Sequence, residues 1–446
     1  KFKDSKNSKI NAEKLLISFS YDKIDSVNKL KIKNLYLIKP NIILFKNKEP
    51  NNSSENIDIE NIYIKDAKIT YDSEIIENVN LKASLKKSIL NIEKLTINEW
   101  SSIKDIEISG KVNLENEKYY DMKTIVDYLD INNYIDFDDK KSKKSKDNSA
   151  FTSFIEFLYE FNHYGNIEIK NLKVKEYLIK DVNLKLKAKN GIIDIHPIEF
   201  DIYGGKLRGE YSIDVRNSKP KYVVKQQITN LSLSKLLDMD KKVINGTANM
   251  YLDIKFDGIN KKQIIKSMTG IKKIYGKNVI YNKYDVDKIV SAYETTNEVG
   301  LLDIGAMLTI GPFAGILTQG TKMAVLNNEI NTKGITKVKE FTSFWKIKDS
   351  KVTTKDVAFK TNKNIIVLNG SIDLFTKKYK DMKVAILNKK MCAKYIETIF
   401  GDLDTNDVNM KKAGAEIFFS PITSLVKSTS ELLEGCKVYY SGVIKW

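Results

Sequence analysis

Five segments of this chain share one pattern, apolar-x-Gly-x-apolar-x-apolar. They are ISGKVNL (Ile108–Leu114), LRGEYSI (Leu207–Ile213), INGTANM (Ile244–Met250), LNGSIDL (Leu368–Leu374) and YSGVIKW (Tyr440–Trp446). An internal repeat limits the architecture more than any local propensity does, because each unit must bury its apolar face with the help of its neighbours. The alternation has period two, so each segment is expected to be a strand with one apolar face. Gly110, Gly209, Gly246, Gly370 and Gly442 fall on that face. A glycine there brings no side chain to pack and loses much backbone entropy on folding. The expected use is to bend a sheet, with a cross-strand aromatic covering the bare backbone, as Phe200 would for Gly209.

Alternation dominates elsewhere too. Asp181 to Ala188 sets Val182, Leu184, Leu186 and Ala188 on one side, and Ile244 to Phe256 is the longest such run. Half-buried antiparallel strands produce this pattern. Asn190-Gly191 predicts a two-residue hairpin pairing Ala188 with Ile193 and Leu186 with Ile195. The apolar parity then shifts at His196-Pro197, which predicts a bulge. Gly204-Gly205 predicts a second hairpin, pairing Ile202 with Leu207. Asn245-Gly246 and Asn369-Gly370 resemble turns, but apolar parity runs through them and predicts mid-strand positions.

Helices are expected at Thr152–Tyr164 and at Ser420–Glu434, the second capped by Ser420, with Pro421 in its first turn and Gly435 at its end. Shorter helical turns are expected near Lys261–Met268 and Val286–Tyr293. The stretch FDDKKSKKSKDNSA (Phe137–Ala150) is charged and of low complexity, which predicts a flexible linker. The expected organisation is an N-terminal β segment over 1–137, a linker over 138–150, and a helix followed by the main β region over 151–446. The expected fold is mainly β: an elongated, curved antiparallel repeat sheet of roughly 20 to 25 strands. At about 4.8 Å per strand it would form an apolar groove on the order of 100 Å long, with a few short helices, one near the C-terminus.

The 446 residues carry a net charge of +17, which raises nucleic acid or an acidic membrane as a partner. Yet the only arginines are Arg208 and Arg216, and base recognition leans on the guanidinium fork. The lysines alternate with apolar residues, as in NLKLKAK, and so describe a solvated face. No run approaches the roughly 20 apolar residues of a membrane helix. Ile304–Gly320 is uncharged but broken by Gly and Pro, and suits either a buried plug or a membrane-contacting tip. Cys392 and Cys436 could pair in an oxidising compartment, at a gain of about 4 kcal/mol on the chain-entropy model, or remain two buried thiols.

The chain offers little catalytic chemistry. His163 and His196 stand outside any triad motif, GGKLRG has no phosphate-loop spacing, and GDLDTNDVN (Gly401–Asn409) misses the calcium-loop pattern. No enzyme activity, cofactor or metal site is expected. Many one-faced strands with few helices to cover them leave either a closed sandwich or an apolar trough suited to acyl chains. The residues expected to line a trough are Leu184, Leu186, Leu207, Tyr211, Ile213, Met250, Leu252, Ile254, Phe256, Ile372 and Leu374.

Several stretches taken in order resemble the AsmA family of bacterial envelope proteins. They are LKIKNLYLIKPNIILFKN (Leu30–Asn47), VNLKLKAKNGIIDIHPIEFDIYGGKLRGEYSIDV (Val182–Val215) and LSLSKLLDMDKKVINGTANMYLDIKFDG (Leu231–Gly258). GPFAGILTQG, FTSFWKIKDSKVTTKDVAFKT, KKMCAKY and EGCKVYYSGVIKW follow towards the C-terminus. The resemblance implies a periplasmic β-groove and an inner-membrane anchor preceding Lys1. It also implies a Cys392–Cys436 disulfide, since the periplasm is oxidising. Its functional implication is non-enzymatic phospholipid binding or transport in outer-membrane biogenesis of a Gram-negative bacterium, with phospholipids, the membrane and envelope proteins as partners. The alternative is a scaffold that offers strand edges to outer-membrane proteins during assembly. Nucleic-acid binding is disfavoured.

Overall fold

The computed structural model describes residues 2–3, 8–24, 27–44, 57–71, 74–114, 122–133, 158–159, 163–174, 177–237, 240–282, 285–296, 334–399 and 436–446. The expected linker 138–150, the apolar stretch 304–320, the acidic loop 401–409 and the helix 420–434 lie outside these residues. The protein is mainly β, with open sheets and three short helices among the described residues. Two compact units divide it: residues 1–201 with 210–218, and residues 202–209 with 219–446.

The first unit begins with β1 (Phe2–Lys3), β2 (Ser8–Asn11), β3 (Lys14–Ile24), β4 (Val27–Ile38) and β5 (Asn41–Leu44). β6 (Ile59–Tyr71), β7 (Glu74–Lys86), β8 (Ile89–Trp100), β9 (Ile103–Asn113), β10 (Met122–Asp130), β11 (His163–Val174), β12 (Tyr177–Lys189) and β13 (Ile192–Ile202) continue it. β6 to β10 form an antiparallel meander. The sheet is mixed, which corrects the purely antiparallel expectation: β4 and β5 pair with β6 in parallel, and so does β10 with β11. Long connections precede β6 and β11, as a parallel step requires.

The Asn190-Gly191 hairpin joins β12 to β13 with Ala188 opposite Ile193 and Leu186 opposite Ile195. The register slips between Leu184 and Leu186, opposite His196-Pro197, where the parity shift predicted a bulge. The helix expected over Thr152–Tyr164 is corrected at its end. Leu158 and Tyr159 are helical, but β11 begins at His163, which pairs with Ala188. Pairing with β10 on one side and β12 on the other overrides the local helical spacing.

β14 (Gly205–Asp214) contributes residues to both units. The second unit continues with β15 (Lys221–Ser232), α1 (Leu233–Leu236), β16 (Ile244–Asn245), β17 (Thr247–Asp257), α2 (Lys261–Ser267) and β18 (Thr269–Tyr281). It ends with α3 (Val286–Thr296), β19 (Thr336–Lys348), β20 (Lys351–Lys360), β21 (Ile365–Asp373), β22 (Lys378–Leu387) and β23 (Ala393–Ile399). All its pairings are antiparallel, running from β15 through β17 to β23.

A second repeat, unlike the glycine pattern, runs through both units. Asp66, Asn78, Asp105, Asp181, Asn230, Asn278 and Asp381 sit inside strands with φ between 48° and 57°, and the ladder skips each of them. Asn and Asp tolerate this left-handed conformation better than other side-chain-bearing residues. The residue that follows each one is buried: Ala67, Val79, Ile106, Val182, Leu231, Val279 and Met382. Two neighbouring residues thus face outward and the alternation slips by one, as at an ordinary bulge, which bends its strand and raises the local twist.

These kinks account for two of the repeat glycines. Gly370, at φ 141°, lies beside the Asp381 kink, and a Cβ there would come within 2.5 Å of Met382 Cα. Gly246, at φ 148°, lies beside the Asn278 kink, and its Cβ would meet Val279 Cγ2 at 2.9 Å. The glycine makes room for the neighbouring strand's bulged backbone. Gly246 stands at a one-residue break between β16 and β17 and not within a continuous strand, which corrects its mid-strand placement. Gly110 and Gly209 are interior to β9 and β14, and Gly209 is buried. Gly442 is corrected: it lies in a bend beside Tyr440 and Asp356, and Tyr440–Trp446 forms no strand.

Candidate functional site

The expected groove residues fall into two sets, one in each unit. In the first unit, Leu186 is buried in a cluster with Leu158, Ala188, Ile193 and Val215, and Leu184 and Ile213 pack against it. The helical turn bearing Leu158 fills this part of the sheet face, so here it is a packed core. Tyr211 is half-buried, and burial pushes its phenol up to about 12.

In the second unit the register assembles the remaining strand residues into rows. One row runs Ile228, Met250, Ile274, Ser343 and Val357 across β15, β17, β18, β19 and β20. A second runs Gln226, Leu252, Lys272, Trp345 and Thr354 over the same strands. The third runs Val224, Ile254, Gly270, Ile347, Val352 and Ile372, reaching β21. Phe256 extends the face at its edge, stacked on Tyr222 with ring centroids 4.9 Å apart. Met250, Leu252, Ile254, Phe256 and Ile372 therefore share one face. Met250, Leu252 and Ile372 are buried, and Ile254 and Phe256 half-buried. Leu207 is buried and Leu374, in the β21–β22 turn, is half-buried.

The middle row is polar within an apolar surround, which alternation alone does not reveal. Lys272 is 3% exposed between Leu252 and Trp345, and burial pulls its ammonium down to about 7. The Trp345 indole Nε1–H donates to Ser343 Oγ at 2.7 Å. Thr354 Oγ1 bonds the backbone of Gly370, donating to its carbonyl at 3.2 Å and accepting from its N–H at 3.0 Å.

One strand end of this unit is covered. Val286, Ile289 and Val290 of α3 are buried. Asp287 holds the helix to the β20–β21 turn, accepting from Thr361 Oγ1 at 2.5 Å and Asn364 Nδ2 at 2.7 Å. A C-terminal strap, Cys436–Trp446, lies over the same end. It is tied by a Cys392–Cys436 disulfide with Cα atoms 6.1 Å apart and by Tyr439 N–H donating to Met391 O at 2.9 Å. Trp446 Nε1–H donates to Asn388 O at 2.7 Å. The Tyr440 hydroxyl donates to one Asp356 oxygen, while Val443 N–H donates to the other at 3.0 Å. Tyr440 and Ile444 close a cluster with Ala358, Ile365, Val367, Ala385, Leu387 and Ala393.

The opposite faces of the strands are solvated. In the first unit Lys68–Glu77, Lys82–Glu93 and Lys94–Glu107 form cross-strand ion pairs at 2.6, 2.5 and 2.8 Å, all substantially exposed. Among the described residues no cluster of His, Cys, Asp and Glu could hold a metal ion, and no helix is long and apolar enough to cross a membrane.

The architecture is that of a repeat-built β protein with one apolar and one charged sheet face. Residues 138–357 match the model of the AsmA family, and over that span the chain is similar to it. The family is one of envelope proteins, consistent with a Gram-negative envelope location and with lipid transport or assembly there. No curated protein and no solved structure matches the chain.

Proposed function

We propose that this protein is a non-enzymatic, periplasmic lipid-binding protein that holds phospholipid acyl chains against the apolar face of its second unit and serves outer-membrane lipid supply. The observation that carries this is the set of rows across β15 to β21. They extend a largely apolar surface over six strands, interrupted in its middle row by Gln226, Lys272 and Thr354. Each acyl methylene moved from water onto such a face is favourable by about 0.8 kcal/mol. The match of residues 138–357 to a family of envelope proteins supports the same reading.

Mass spectrometry of lipids extracted from the gently purified protein tests it, with Ile254→Glu as the variant. Ile254 is half-buried and opposite Gly270, so a carboxylate there stays on the apolar face. At position 252 it would meet Lys272 instead. Near-stoichiometric phospholipid in the wild type and a loss of most of it in a folded Ile254→Glu variant are expected. Equal lipid in both would overturn the assignment.

A specific feature favours a second reading, a scaffold for client strands. Among the described residues β3 pairs with β4 alone, and Leu16, Ile17 and Phe19 on it are exposed. A long apolar edge is a template for strand addition. Crosslinking from position 17 to outer-membrane clients, unaffected by Ile254→Glu, is the result that would favour it.

A further inference from the structure

We propose that the strand end of the second unit opposite α3 docks on an anionic phospholipid membrane. The register places three connections at that end. Thr269, which follows α2, is opposite Lys348, Lys348 is opposite Lys351, Lys351 is opposite Asp373, and Asp373 is opposite Lys378. The β17–α2–β18 connection and the β19–β20 and β21–β22 turns therefore form one rim, while α3 and the C-terminal strap occupy the other strand end.

The rim is basic and apolar-tipped. Residues 257–269, 348–351 and 373–378 carry seven lysines against three aspartates, Asp257, Asp349 and Asp373. Asp373 is engaged internally, accepting from the N–H groups of Phe375 and Thr376 and from Lys380 Nζ. Two large apolar side chains stand out at connection tips, Ile259 at 40% exposure and Phe375 at 43%. Lys262 and Lys266 of α2 place their ammonium groups 5.7 and 4.7 Å from the Phe375 ring centroid. α2 is fixed in place by Asn260 Oδ1, which accepts from Gln263 N–H, and by Gln263 Oε1, which accepts from Ile259 N–H.

An exposed aromatic flanked by lysines suits the boundary between headgroups and acyl chains: the ring enters the interface while the ammonium groups meet lipid phosphates. Nucleic acid fits less well. These three connections hold no arginine for bidentate recognition, and their apolar tips gain nothing from a phosphate backbone. This surface stands on turn geometry and charge, apart from the acyl-chain assignment, and the two fail separately because lipid content is measured on the same preparations.

The experiment is flotation of the full chain with phosphatidylcholine vesicles, with and without phosphatidylglycerol. Binding is expected only with phosphatidylglycerol, weakened about tenfold or more by the double variant K262E/K266E and several-fold by Phe375→Ser. The control double variant K241E/K242E carries the same charge change in the turn at the opposite strand end and is expected to bind as the wild type does. Three results would each overturn the proposal. They are equal binding to pure phosphatidylcholine, an equal loss in the control variant, and duplex-DNA binding that depends on Lys262 and Lys266 while vesicle binding is absent. Circular dichroism confirms that these surface variants fold.

Discussion

Asn230 shows what a single residue does in this fold. It holds φ at 55°, and its own N–H donates to Asn249 Oδ1 at 3.0 Å, so the kink needs its backbone conformation more than its side chain. A β-branched residue pays most for that conformation. Asn230→Val is expected to lower stability by about 2 kcal/mol and Asn230→Gly to leave it within about 0.5 kcal/mol, read from urea midpoints. Equal losses in both would show that the side chain matters and not the angle. Lys272 poses the opposite problem, a charge buried between Leu252 and Trp345. Its folded pKa of about 7 lies below the ordinary 10.5, so between these values the unfolded chain binds more protons and stability rises with pH. The penalty is complete below about pH 7 and vanishes above about pH 10.5. At about 1.4 kcal/mol per unit it is on the order of 5 kcal/mol. Lys272→Met is therefore expected to stabilise the protein strongly at pH 6 and hardly at pH 10.5, checked by denaturation at both values. A gain independent of pH would assign it to packing alone.

At the scale of elements, the strap and the strands beneath it depend on each other. Ile365–Leu368 and Val384–Leu387 are buried at four consecutive positions each, so both faces of β21 and β22 are covered at that end, with the strap over one of them. The disulfide closes a sequence separation of 44 residues, which on the chain-entropy model stabilises by about 4 kcal/mol. Reduction, or Cys436→Ser, is expected to raise amide exchange in β20 to β22 and open 436–446 to proteolysis, while exchange in β6 to β9 stays unchanged. Strap exchange that ignored reduction would assign its anchoring to Asp356 and Trp446. Much at this scale was legible in advance. The Asn190-Gly191 hairpin, its register, the bulge at His196-Pro197 and α2 and α3 all follow from local chemistry that acts over a few residues. What was not legible depends on distant partners. The parallel step from β10 to β11 places His163 in a strand despite its helical spacing. Gly442 sits in a strand-like pattern but is drawn into a bend by Asp356, which receives both Tyr440 and Val443. The apolar runs IIVL and VAIL did carry a signal of two-faced burial, and the spacing apolar-x-Asx-apolar marked the kinks.

For the molecule as a whole, the lysine excess lies on solvated faces and adds little to the stability of the fold. The rows that gather Met250, Leu252, Ile254, Phe256 and Ile372 on one face follow from register. That is why alternation could nominate them singly but could not order them into rows, nor place Leu186 in a cluster beneath Leu158. The charged faces work differently. Exposed pairs such as Lys82–Glu93 and Lys94–Glu107 add little to stability, because water screens them and ordering two long side chains costs entropy. A net charge of +17 acts over longer distances. At about 1 M salt the Debye length falls to roughly 3 Å, which removes long-range attraction and leaves apolar burial intact. The melting temperature is therefore expected to move by less than about 3 °C between low and high salt, while vesicle association of the same protein falls steeply, followed by thermal melts and flotation in parallel. A large drop in melting temperature would make the cross-strand ion pairs structural. Salt-resistant vesicle association would instead place the weight of docking on Ile259 and Phe375, because burying their side chains does not depend on the range of the charges around them.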